Sequence, residues 1–428
     1  MSRHGLVIDN AVILTMDASR TVVRGWLAVD DGVITGFGEG PAPEAAERVD
    51  AAGGILHPGY ISAHQHSMDA LARGERGEAQ EFFDWLFGTY YGTVLSYRPE
   101  DAARAVELTA AELTRAGITT VLDCWGVGDV GQPRAIAALD ATIRAADVSR
   151  LRWIIAPMVS DRVPPGWNSL FDAAPEGFRP EALTAPTGVA LDFARDALSR
   201  ARGRVSVWAS VELPEMATDA LLAGLVDLGA PGFTTHVCAS EPGAVDVSGE
   251  RAIERLDRLG VLRQGSVAAH LTFTDGADRA ALAASGCGGA HCATATMWGG
   301  GSRSSFGELV DAGIPMGLGL DNATLNTPAD MVAEMRAAML FDRSMGSGPV
   351  RAAAADLLAH ATIEGARALG LDDAIGSLEV GKRADLVLVD TSGTHWLPHR
   401  DPATALVLQS RQDDIRRVWV EGEAVFAR

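Results

Sequence analysis

Short apolar runs alternate along most of this chain with segments whose apolar residues recur at helical spacing. Continuous apolar runs of this kind are typical of strands buried on both faces. Eight such strands are predicted, over residues 55–64, 118–125, 151–158, 205–213, 232–238, 265–273, 289–294 and 314–320. Helical patterns fall between or after them, over residues 99–116, 191–202, 244–259, 306–312 and 329–340. Strands and helices in this alternation predict an α/β fold, a (β/α)8 barrel with parallel strands inside and helices outside.

The two ends of the chain have a different pattern from its middle. Residues 6–49 consist of short β-branched runs separated by Asp-Asn, Asp-Asp and Gly turns. After a predicted helix at 352–369, residues 376–390 and 415–426 return to that pattern. We therefore expect both ends to form one small β domain beside the barrel. The predicted boundaries are 1–57 for its first part, 58–370 for the barrel and 371–428 for its second part.

Charge and cysteine content restrict the class of protein. With 36 basic and 56 acidic residues the net charge is −20, which repels a phosphate backbone, so nucleic acid is not an expected partner. No apolar run reaches the ~20 residues that span a bilayer, and the N-terminus lacks the layout of a secretory signal. Four cysteines in 428 residues, with no CxxC pair, are no disulfide framework. These features predict a cytoplasmic protein that does not bind membranes.

Candidate metal ligands lie at the ends of several predicted strands. His64 and His66 are two residues apart in an extended segment, so both side chains point the same way and can bind one divalent ion. His236, His270 and Asp321 lie at the ends of the fifth, sixth and eighth predicted strands. The carboxyl ends of all strands of such a barrel open on one face, which carries the catalytic residues. The pattern therefore predicts a metal centre at that face.

This set of residues resembles the amidohydrolase superfamily, in its branch of aminohydrolases and chlorohydrolases. The resemblance covers nearly the whole chain and rests on residues 58–66, 84–86, 117–121, 236, 270, 291–292, 308–313, 318–321 and 376–390. It implies a (β/α)8 barrel with a small β-sandwich built from both termini. It also implies that one divalent metal ion, usually zinc and otherwise iron, is bound by His64, His66, His236 and Asp321.

A single metal ion is expected rather than a pair. Relatives with two ions bridge them through a carboxylated lysine on the fourth strand, and the fourth predicted strand contains no lysine. The single lysine of the chain, Lys382, lies in the predicted terminal domain. The resemblance therefore implies a mononuclear site.

By the same resemblance, the reaction is a hydrolysis by metal-activated water. A divalent ion lowers the pKa of bound water to about 7, and the resulting hydroxide attacks an electrophilic sp² carbon. Asp321 serves as both ligand and proton acceptor, and it passes the proton toward the leaving group. His270 orients the hydroxide or stabilises the charge that develops on the substrate.

The chain departs from the family pattern at the residue that protonates the ring. Relatives that deaminate purine-like or triazine-like rings usually carry glutamate three residues after the strand-5 histidine, whereas residue 239 here is alanine. Glu241 is one candidate replacement, although it lies ~7 Å farther along an extended chain and needs a bulge to come back. Glu212 at the end of strand 4 is another, with Glu215 just beyond it.

Aromatic, imidazole and amide side chains near strand ends are weaker candidates for substrate contacts. Such positions lie in the loops that build the pocket, where a tryptophan stacks well on a flat ring. The candidates are Trp85, Trp125, His291, Trp298 and Asn322.

The leading hypothesis is a metal-dependent aminohydrolase, a hydrolase of non-peptide C–N bonds. It would release ammonia or an amine from a small nitrogen heterocycle or an amidine. Hydrolysis of another leaving group, chloride or an amide amine, is the alternative, since chloride needs no protonation. A non-catalytic scaffold is less favoured because the full ligand set is present. The expected partner is a small-molecule substrate, and a homo-oligomer is the base-rate expectation.

Overall fold

The computed structural model describes residues 4–75, 84–164, 167, 171, 179–240, 242–245, 249–302, 304–325, 329–346, 352–398 and 401–428. Its first strands are β1 (His4–Leu14), β2 (Val22–Asp30), β3 (Val33–Gly38), β4 (Ala45–Asp50) and β5 (Ile55–Pro58). The middle of the chain forms β6 (Tyr60–His66), β7 (Ile118–Trp125), β8 (Arg152–Val159), β9 (Val205–Val207), β10 (Ala209–Val211), β11 (Phe233–Val237), β12 (Ser266–His270), β13 (Gly288–His291), β14 (Met316–Leu318) and β15 (Asp321–Asn322). The last strands are β16 (Leu386–Val389), β17 (Ile415–Val420) and β18 (Glu423–Ala427).

The described helices alternate with the strands of the middle region and continue after them. They are α1 (Pro99–Arg115), α2 (Pro133–Ser149), α3 (Thr187–Leu198), α4 (Asp219–Asp227), α5 (Ala252–Arg258), α6 (Gly276–Ser285), α7 (Ala293–Trp298), α8 (Phe306–Asp311), α9 (Met331–Met345), α10 (Ala354–His360), α11 (Ile363–Ala368) and α12 (Pro402–Leu408). A π-helical segment, Trp85–Tyr90, continues into a single helical turn, Tyr91–Val94. Short 3₁₀ turns lie at Ser67–Leu71, Pro180–Leu183, Pro214–Met216, Pro242–Ala244, Thr394–Trp396 and Gln412–Asp414.

The middle strands form a closed ring of parallel strands. Their order is β14-β13-β12-β11-β10-β8-β7-β6-β15, and β9 pairs with β8. The fourth barrel strand is divided into β9 and β10. The eighth is divided into β14, which pairs with β13, and β15, which pairs with β6, so the two halves join the last strand to the first. The eight predicted strands are thus confirmed as a (β/α)8 barrel.

Barrel closure depends on a glycine in the eighth strand. A Cβ atom at Gly319 would lie 2.8 Å from the Cβ of His64 and 2.9 Å from the sulfur of Cys292. Only a residue without a side chain lets the eighth strand approach the first this closely. The hydroxyl of Ser62 strengthens the same seam, since it accepts a hydrogen bond from the Leu320 N–H at 3.2 Å.

Both ends of the chain contribute to a second sheet, as the terminal pattern predicts. Its order is β18-β17-β16-β5-β1-β2-β3, with β4 paired to β1. The run predicted as one strand at 55–64 divides at Gly59, because β5 pairs with β1 and β16 whereas β6 belongs to the barrel. A Cβ atom at Gly59 would overlap Thr119, so the chain passes between the two sheets through a glycine. The exact boundaries after residues 57 and 370 stay predictions.

The helices bury their apolar faces against the barrel. Helix α1 begins at Pro99, where the missing N–H costs nothing, and it buries Ala102, Val106 and Leu113. The helix predicted at 244–259 is shorter than its pattern, since α5 begins at Ala252. Among the described helices, none combines the length and the hydropathy that crossing a membrane requires.

Candidate active site

The predicted metal ligands meet at the carboxyl end of the barrel. His64 and His66 end β6, His236 lies near the end of β11, and Asp321 begins β15. In the parallel pairing of β15 with β6, Asp321 lies opposite Gln65, between the two histidines of the first strand. Alternation in β6 turns His64 and His66 away from the face of Gln65, and the left-handed backbone at Asp321 brings its carboxylate to the side of the two imidazoles.

The distances between these side chains are short. Oδ1 of Asp321 lies 3.6 Å from Nε2 of His64 and 3.6 Å from Nε2 of His66. Nε2 of His66 lies 3.0 Å from Nε2 of His236. His64, His66 and Asp321 are buried, and His236 is half-buried. Three imidazole nitrogens and one carboxylate oxygen therefore converge on a single small volume.

The outer nitrogens of two of these rings are held by the main chain. Nδ1 of His66 lies 2.9 Å from the carbonyl oxygen of Cys124, and Nδ1 of His236 lies 2.7 Å from that of Glu212. A carbonyl oxygen only accepts, so both Nδ1 atoms carry the proton and both Nε2 atoms present lone pairs. The third ring, His64, has a buried Nε2 with no hydrogen-bond partner.

This donor set fits a divalent transition metal. Two lone pairs 3.0 Å apart repel each other unless a cation lies beside them. Imidazole nitrogens with one carboxylate suit zinc or iron, and main-chain carbonyls behind the rings are usual for ligating histidines. The residues present therefore fit the metal that the resemblance implies.

Burial keeps most of these rings neutral. Burial first, and the neighbouring imidazoles next, lower the pKa of His66 to about 3 and hold the pKa of His236 well below its usual value. Burial opposes a charge on His64 as well, but Cys124 and Asp321 raise its pKa to about 10. The pKa of Asp321 is lowered despite its burial, chiefly through its contact with His64.

His270 lies beside this group at the end of β12. Its Nδ1 is 4.0 Å from Oδ2 of Asp321, and the ring borders the cavity above the group. The backbone is left-handed at His270 and at Asp321, with φ of 76° and 59°. Such conformations cost on the order of 1–3 kcal/mol in non-glycine residues and cluster at functional sites. Strand ends bent in this way aim both side chains at the same point.

A cavity of about 570 Å³ opens from these residues to the surface. Its inner end is polar, with His66, His236, His270 and Asp321. Its outer wall is mainly apolar and is formed by Pro164, Trp167, Leu213, Val245, Phe273 and Leu325. The volume is in the range of small-molecule sites.

Of the predicted proton donors, Glu212 lines the cavity. Burial raises the pKa of Glu212 to about 7, the Tyr91 hydroxyl beside it acts in the opposite direction, and Glu215 raises it further. Glu215 and Ala239 also line the cavity. Glu241 lies outside the described residues. Of the described residues predicted as proton donors, Glu212 therefore combines access to the cavity with a raised pKa.

The predicted substrate contacts divide into two groups. Trp85 and Asn322 line the cavity and are linked through Thr324, whose hydroxyl accepts from Trp85 Nε1 at 3.0 Å. The amide oxygen of Asn322 accepts the Thr324 N–H at 2.8 Å, which leaves the amide NH₂ group as the free end of this side chain.

Three other predicted contacts lie elsewhere, which corrects the sequence-based expectation. Trp125 is buried behind the barrel and donates to Thr142 on α2, because its side chain leaves β7 on the outer face. His291 is buried, and its ring stacks on that of Phe306 with 4.8 Å between the ring centroids. Trp298, at the end of α7, is 46% exposed and does not border the cavity.

Two buried groups near the site were not predicted from the sequence. The Asp123 carboxylate accepts from the N–H and the hydroxyl of Ser67, and so fixes the turn that follows His66. The thiol of Cys124 lies 3.4 Å from Nδ1 of His64. The sequence shows only that Asp123 and Cys124 lie near the end of an apolar strand. It does not indicate which residues they contact.

Comparisons with known proteins agree with this architecture. The model of the amidohydrolase family matches residues 55–425. A 5-methylthioadenosine/S-adenosylhomocysteine deaminase of Pelotomaculum thermopropionicum is 28% identical over 99% of this chain and 93% of its own length. A 5'-deoxyadenosine deaminase of Methanosarcina mazei is 26% identical over 98% of this chain and 92% of its own length.

Solved structures share the fold over the whole chain. An adenosine deaminase from Xanthomonas campestris with bound zinc superposes with a TM-score of 0.87 at 24% identity, covering 100% of this chain and 94% of the other. An atrazine chlorohydrolase from Arthrobacter aurescens complexed with zinc gives 0.86 at 22% identity, covering 99% and 95%.

The fold and the family match define a metal-dependent hydrolase built on a (β/α)8 barrel. The chain belongs to the amidohydrolase family. The predicted family, fold and enzyme class, hydrolysis of non-peptide C–N bonds, are thereby confirmed.

Proposed function

We propose that this chain is a mononuclear, zinc-type aminohydrolase. It replaces an amino group on an sp² carbon of a small nitrogen heterocycle by a water-derived oxygen and releases ammonia. The single observation that carries the proposal is the approach of the Nε2 atoms of His66 and His236 to 3.0 Å, with both Nδ1 atoms already donating to carbonyl groups. Such an arrangement directs two lone pairs into one small volume, where they can bind a cation.

The metal would be held by His64, His66, His236 and Asp321, with zinc favoured over iron. When bound, a divalent ion supplies Lewis acidity and lowers the pKa of water in its coordination shell. The proposed set agrees with the softness of imidazole nitrogen, which suits zinc and iron.

Asp321 and His270 handle charge on the side of the attacking water. The Asp321 oxygen nearer His270 is Oδ2, whereas Oδ1 faces the two histidines of β6. We assign to Oδ2 the proton of the attacking water, which it then passes to the departing amine. Burial lowers the pKa of His270 to about 4, so this ring is neutral and is able to donate one hydrogen bond to the oxygen that becomes negative.

Glu212 is assigned the proton donor to the ring nitrogen. It lines the cavity beside His236, whose Nδ1 donates to the Glu212 carbonyl oxygen at 2.7 Å. A carboxyl whose pKa lies near 7 is matched to proton transfer at neutral pH. Glu241 stays the alternative donor from the sequence.

The substrate is proposed to be a flat ring with an apolar substituent. The outer wall of the cavity is apolar, whereas the charged side chains of its described lining are Glu212, Glu215 and Asp321. These carboxylates disfavour an anionic substituent. Two relatives are named as a 5-methylthioadenosine/S-adenosylhomocysteine deaminase and a 5'-deoxyadenosine deaminase, which makes an adenosine with a neutral, apolar 5' group the first candidate.

Hydrolytic removal of chloride is the second candidate. Ala239 lines the cavity at the position where ring deaminases of this branch usually carry glutamate. Chloride leaves as an anion and needs no proton, so a site without that glutamate still suffices.

A screen combined with metal analysis tests the proposal. The protein is purified, its zinc and iron are counted, and ammonia and chloride release are measured on 5'-substituted adenosines, guanine, cytosine, and amino- and chlorotriazines. About one metal ion per chain and ammonia release are expected. Asp321→Asn is expected to lower kcat/KM about 10²–10⁴-fold. A protein that binds no metal after zinc supplementation would be a scaffold, and chloride release alone would establish the second candidate.

A further inference from the structure

Every proposed histidine ligand has its outer nitrogen against a hydrogen-bond acceptor, but the acceptors differ. His66 and His236 each face a main-chain carbonyl oxygen. His64 instead faces a side chain, the thiol of Cys124, at 3.4 Å between Nδ1 and sulfur. The His64 ring is therefore the one whose orientation depends on a side chain that a substitution can remove.

Cys124 contacts two of the proposed ligands through two different groups. Its carbonyl oxygen accepts from His66, while its sulfur lies against His64. The Cys124 and His64 side chains are both completely buried, so water does not replace the thiol as a partner of Nδ1. On the opposite side of the same ring, Nε2 has no hydrogen-bond partner and lies 3.6 Å from Oδ1 of Asp321.

These contacts determine which form of His64 the site needs. A neutral imidazole has one nitrogen with a proton and one with a lone pair. The hydrogen bond made by the nitrogen that does not bind the metal determines which is which. If Nε2 is to present its lone pair, Nδ1 must carry the proton and donate it to an acceptor. Sulfur is a weak acceptor, yet within the enclosed space beside Nδ1 it is the partner that the structure provides.

We propose that the Cys124 thiol accepts a hydrogen bond from Nδ1–H of His64, and that it thereby holds the His64 lone pair toward the metal centre. Cys124 is a positioning residue that acts through His64. The inference rests on the metal site of the proposed function, and it adds a residue outside the proposed ligand set. Partners of ligating histidines in this role are worth about 10–100-fold in metal affinity.

Direct ligation by the sulfur is the competing role. Cys124, His64 and His236 offer ligand atoms within 4.8 Å of one another, so the thiol is close enough for this alternative to be tested. The 3.4 Å contact, however, is to Nδ1 of His64 rather than to the side of the ring that faces Asp321. An ion held by Nε2 would therefore be on the other side of the imidazole from the nitrogen that the sulfur contacts.

Three variants separate these roles. Cys124→Ala removes the acceptor, Cys124→Ser replaces it by a hydroxyl, and Cys292→Ala is the matched control. Cys292 is equally buried and lies at the same seam of the barrel, with its sulfur 2.9 Å from the place that a Cβ at Gly319 would take. Zinc dissociation constants are measured by competition with a chromophoric chelator, and the visible and near-ultraviolet spectra of the cobalt-substituted proteins are recorded.

The expected result is a 10–100-fold weaker zinc affinity in Cys124→Ala, with rescue to within about threefold in Cys124→Ser and no change in Cys292→Ala. The cobalt spectrum of the unaltered protein should lack a sulfur-to-metal charge-transfer band. Equal zinc affinity in Cys124→Ala and the unaltered protein would overturn the proposal. So would a charge-transfer band that disappears in Cys124→Ser, since it would make Cys124 a ligand.

Failure of the proposed function is recognised separately. In that case the unaltered protein itself binds no zinc, iron or cobalt, and a positioning role toward a metal is excluded with it. Near-ultraviolet circular dichroism of each variant verifies that the fold is retained. If Cys124→Ala does not fold, the comparison between Cys124→Ser and the unaltered protein decides: a charge-transfer band or a loss beyond tenfold overturns the proposal, and retention without that band supports it.

Discussion

The Nε2 atoms of His66 and His236 lie 3.0 Å apart, and their rings are parallel to within 2°. Each ring is fixed from behind by a carbonyl oxygen, at Cys124 for His66 and at Glu212 for His236. Neither ring is able to turn its N–H toward the other without losing that bond. The barrel thus holds two lone pairs face to face, and the folded state includes a repulsion that a bound cation relieves.

Removal of the metal should therefore destabilise the protein. A ligand that binds only the folded state adds about 2.7 kcal/mol to the free energy of unfolding at a hundred times its dissociation constant. We expect chelator treatment to lower the Tm and added zinc to restore it in a concentration-dependent way. Magnesium, which prefers oxygen ligands, should have no such effect. A Tm that is the same with zinc and with chelator would contradict the assignment.

Loss of the Glu212 carboxylic acid should slow turnover without releasing the metal. Its contact with His236 is made by the main-chain carbonyl, which Glu212→Gln retains. We expect a fall in kcat of about 10²–10⁴-fold, the usual contribution of general acid catalysis, with an unchanged zinc content. Glu215→Gln, at a neighbouring carboxylate of the same cavity, is the control and should cost less. Equal losses in the two variants would remove Glu212 from the proposed role.

The Tyr91 hydroxyl should set the alkaline limit of activity. It lies beside Glu212 and lowers the pKa of that carboxyl, against burial, which raises it to about 7. As an acid, Glu212 works while protonated, so activity falls as the pH rises through this pKa. Tyr91→Phe removes the lowering contribution, and the alkaline limb of the kcat/KM profile should move to higher pH.

Tyr97→Phe is the matched control for that profile. The Tyr97 hydroxyl is also buried, but it donates to the carbonyl oxygen of Met68 at 2.9 Å and has no contact with Glu212. Its loss should lower stability and leave the alkaline limb in place. A limb that moves equally in both variants, or only in Tyr97→Phe, would show that Glu212 does not determine it.

Much of the site could be predicted because its side chains stand at strand ends. His64 and His66 share a face through the two-residue period of a strand, and a barrel brings all carboxyl ends of its strands to one side. The proximity of His236 and Asp321 then follows from the order of elements alone. No knowledge of the register between strands is needed for this step.

The rest of the site could not be predicted, because it depends on the register between strands and on the face of the sheet toward which each side chain points. A shift of one residue in a strand turns every side chain to the other face, and the sequence does not fix this at the strand ends. Trp125 was therefore expected in the pocket, whereas its neighbour Cys124 is the residue that faces His64. The left-handed backbone at His270 and Asp321 could not be predicted either, because neither residue is a glycine, the residue type that usually indicates this conformation.

The barrel is fastened to the terminal sheet by a buried ion pair, and loss of its cation should be costly. Arg152 at the start of β8 contacts Asp385 at 3.3 Å and Glu421 at 3.0 Å, and Asp385 is only 4% exposed. Arg152→Met leaves that carboxylate without its guanidinium, which typically costs about 3–5 kcal/mol. We expect a clear fall in the urea midpoint.

Arg144→Met is the control for this pair, because Arg144 contacts Asp140 on the exposed side of α2. Exposed pairs contribute roughly 0.2–1 kcal/mol, so the midpoint should barely move. Similar midpoints for the two variants would mean that the ion pair does not hold the sheet to the barrel.

Substitution of Gly319 should disturb the metal centre through packing alone. A Cβ there would lie 2.8 Å from the Cβ of His64 and 2.9 Å from the Cys292 sulfur, closer than real Cβ atoms approach their neighbours. In Gly319→Ala the eighth strand must therefore move away from the first, which carries Asp321 away from His64. We expect a loss of roughly 1–3 kcal/mol in stability, as for other overpacked cores, and a reduced zinc content.

Gly188→Ala is the control, because nothing lies within 4 Å of the new Cβ, and it should change neither the stability nor the zinc content. Full zinc content and full stability in Gly319→Ala would show that the two strands tolerate separation, and that the site does not depend on their close contact.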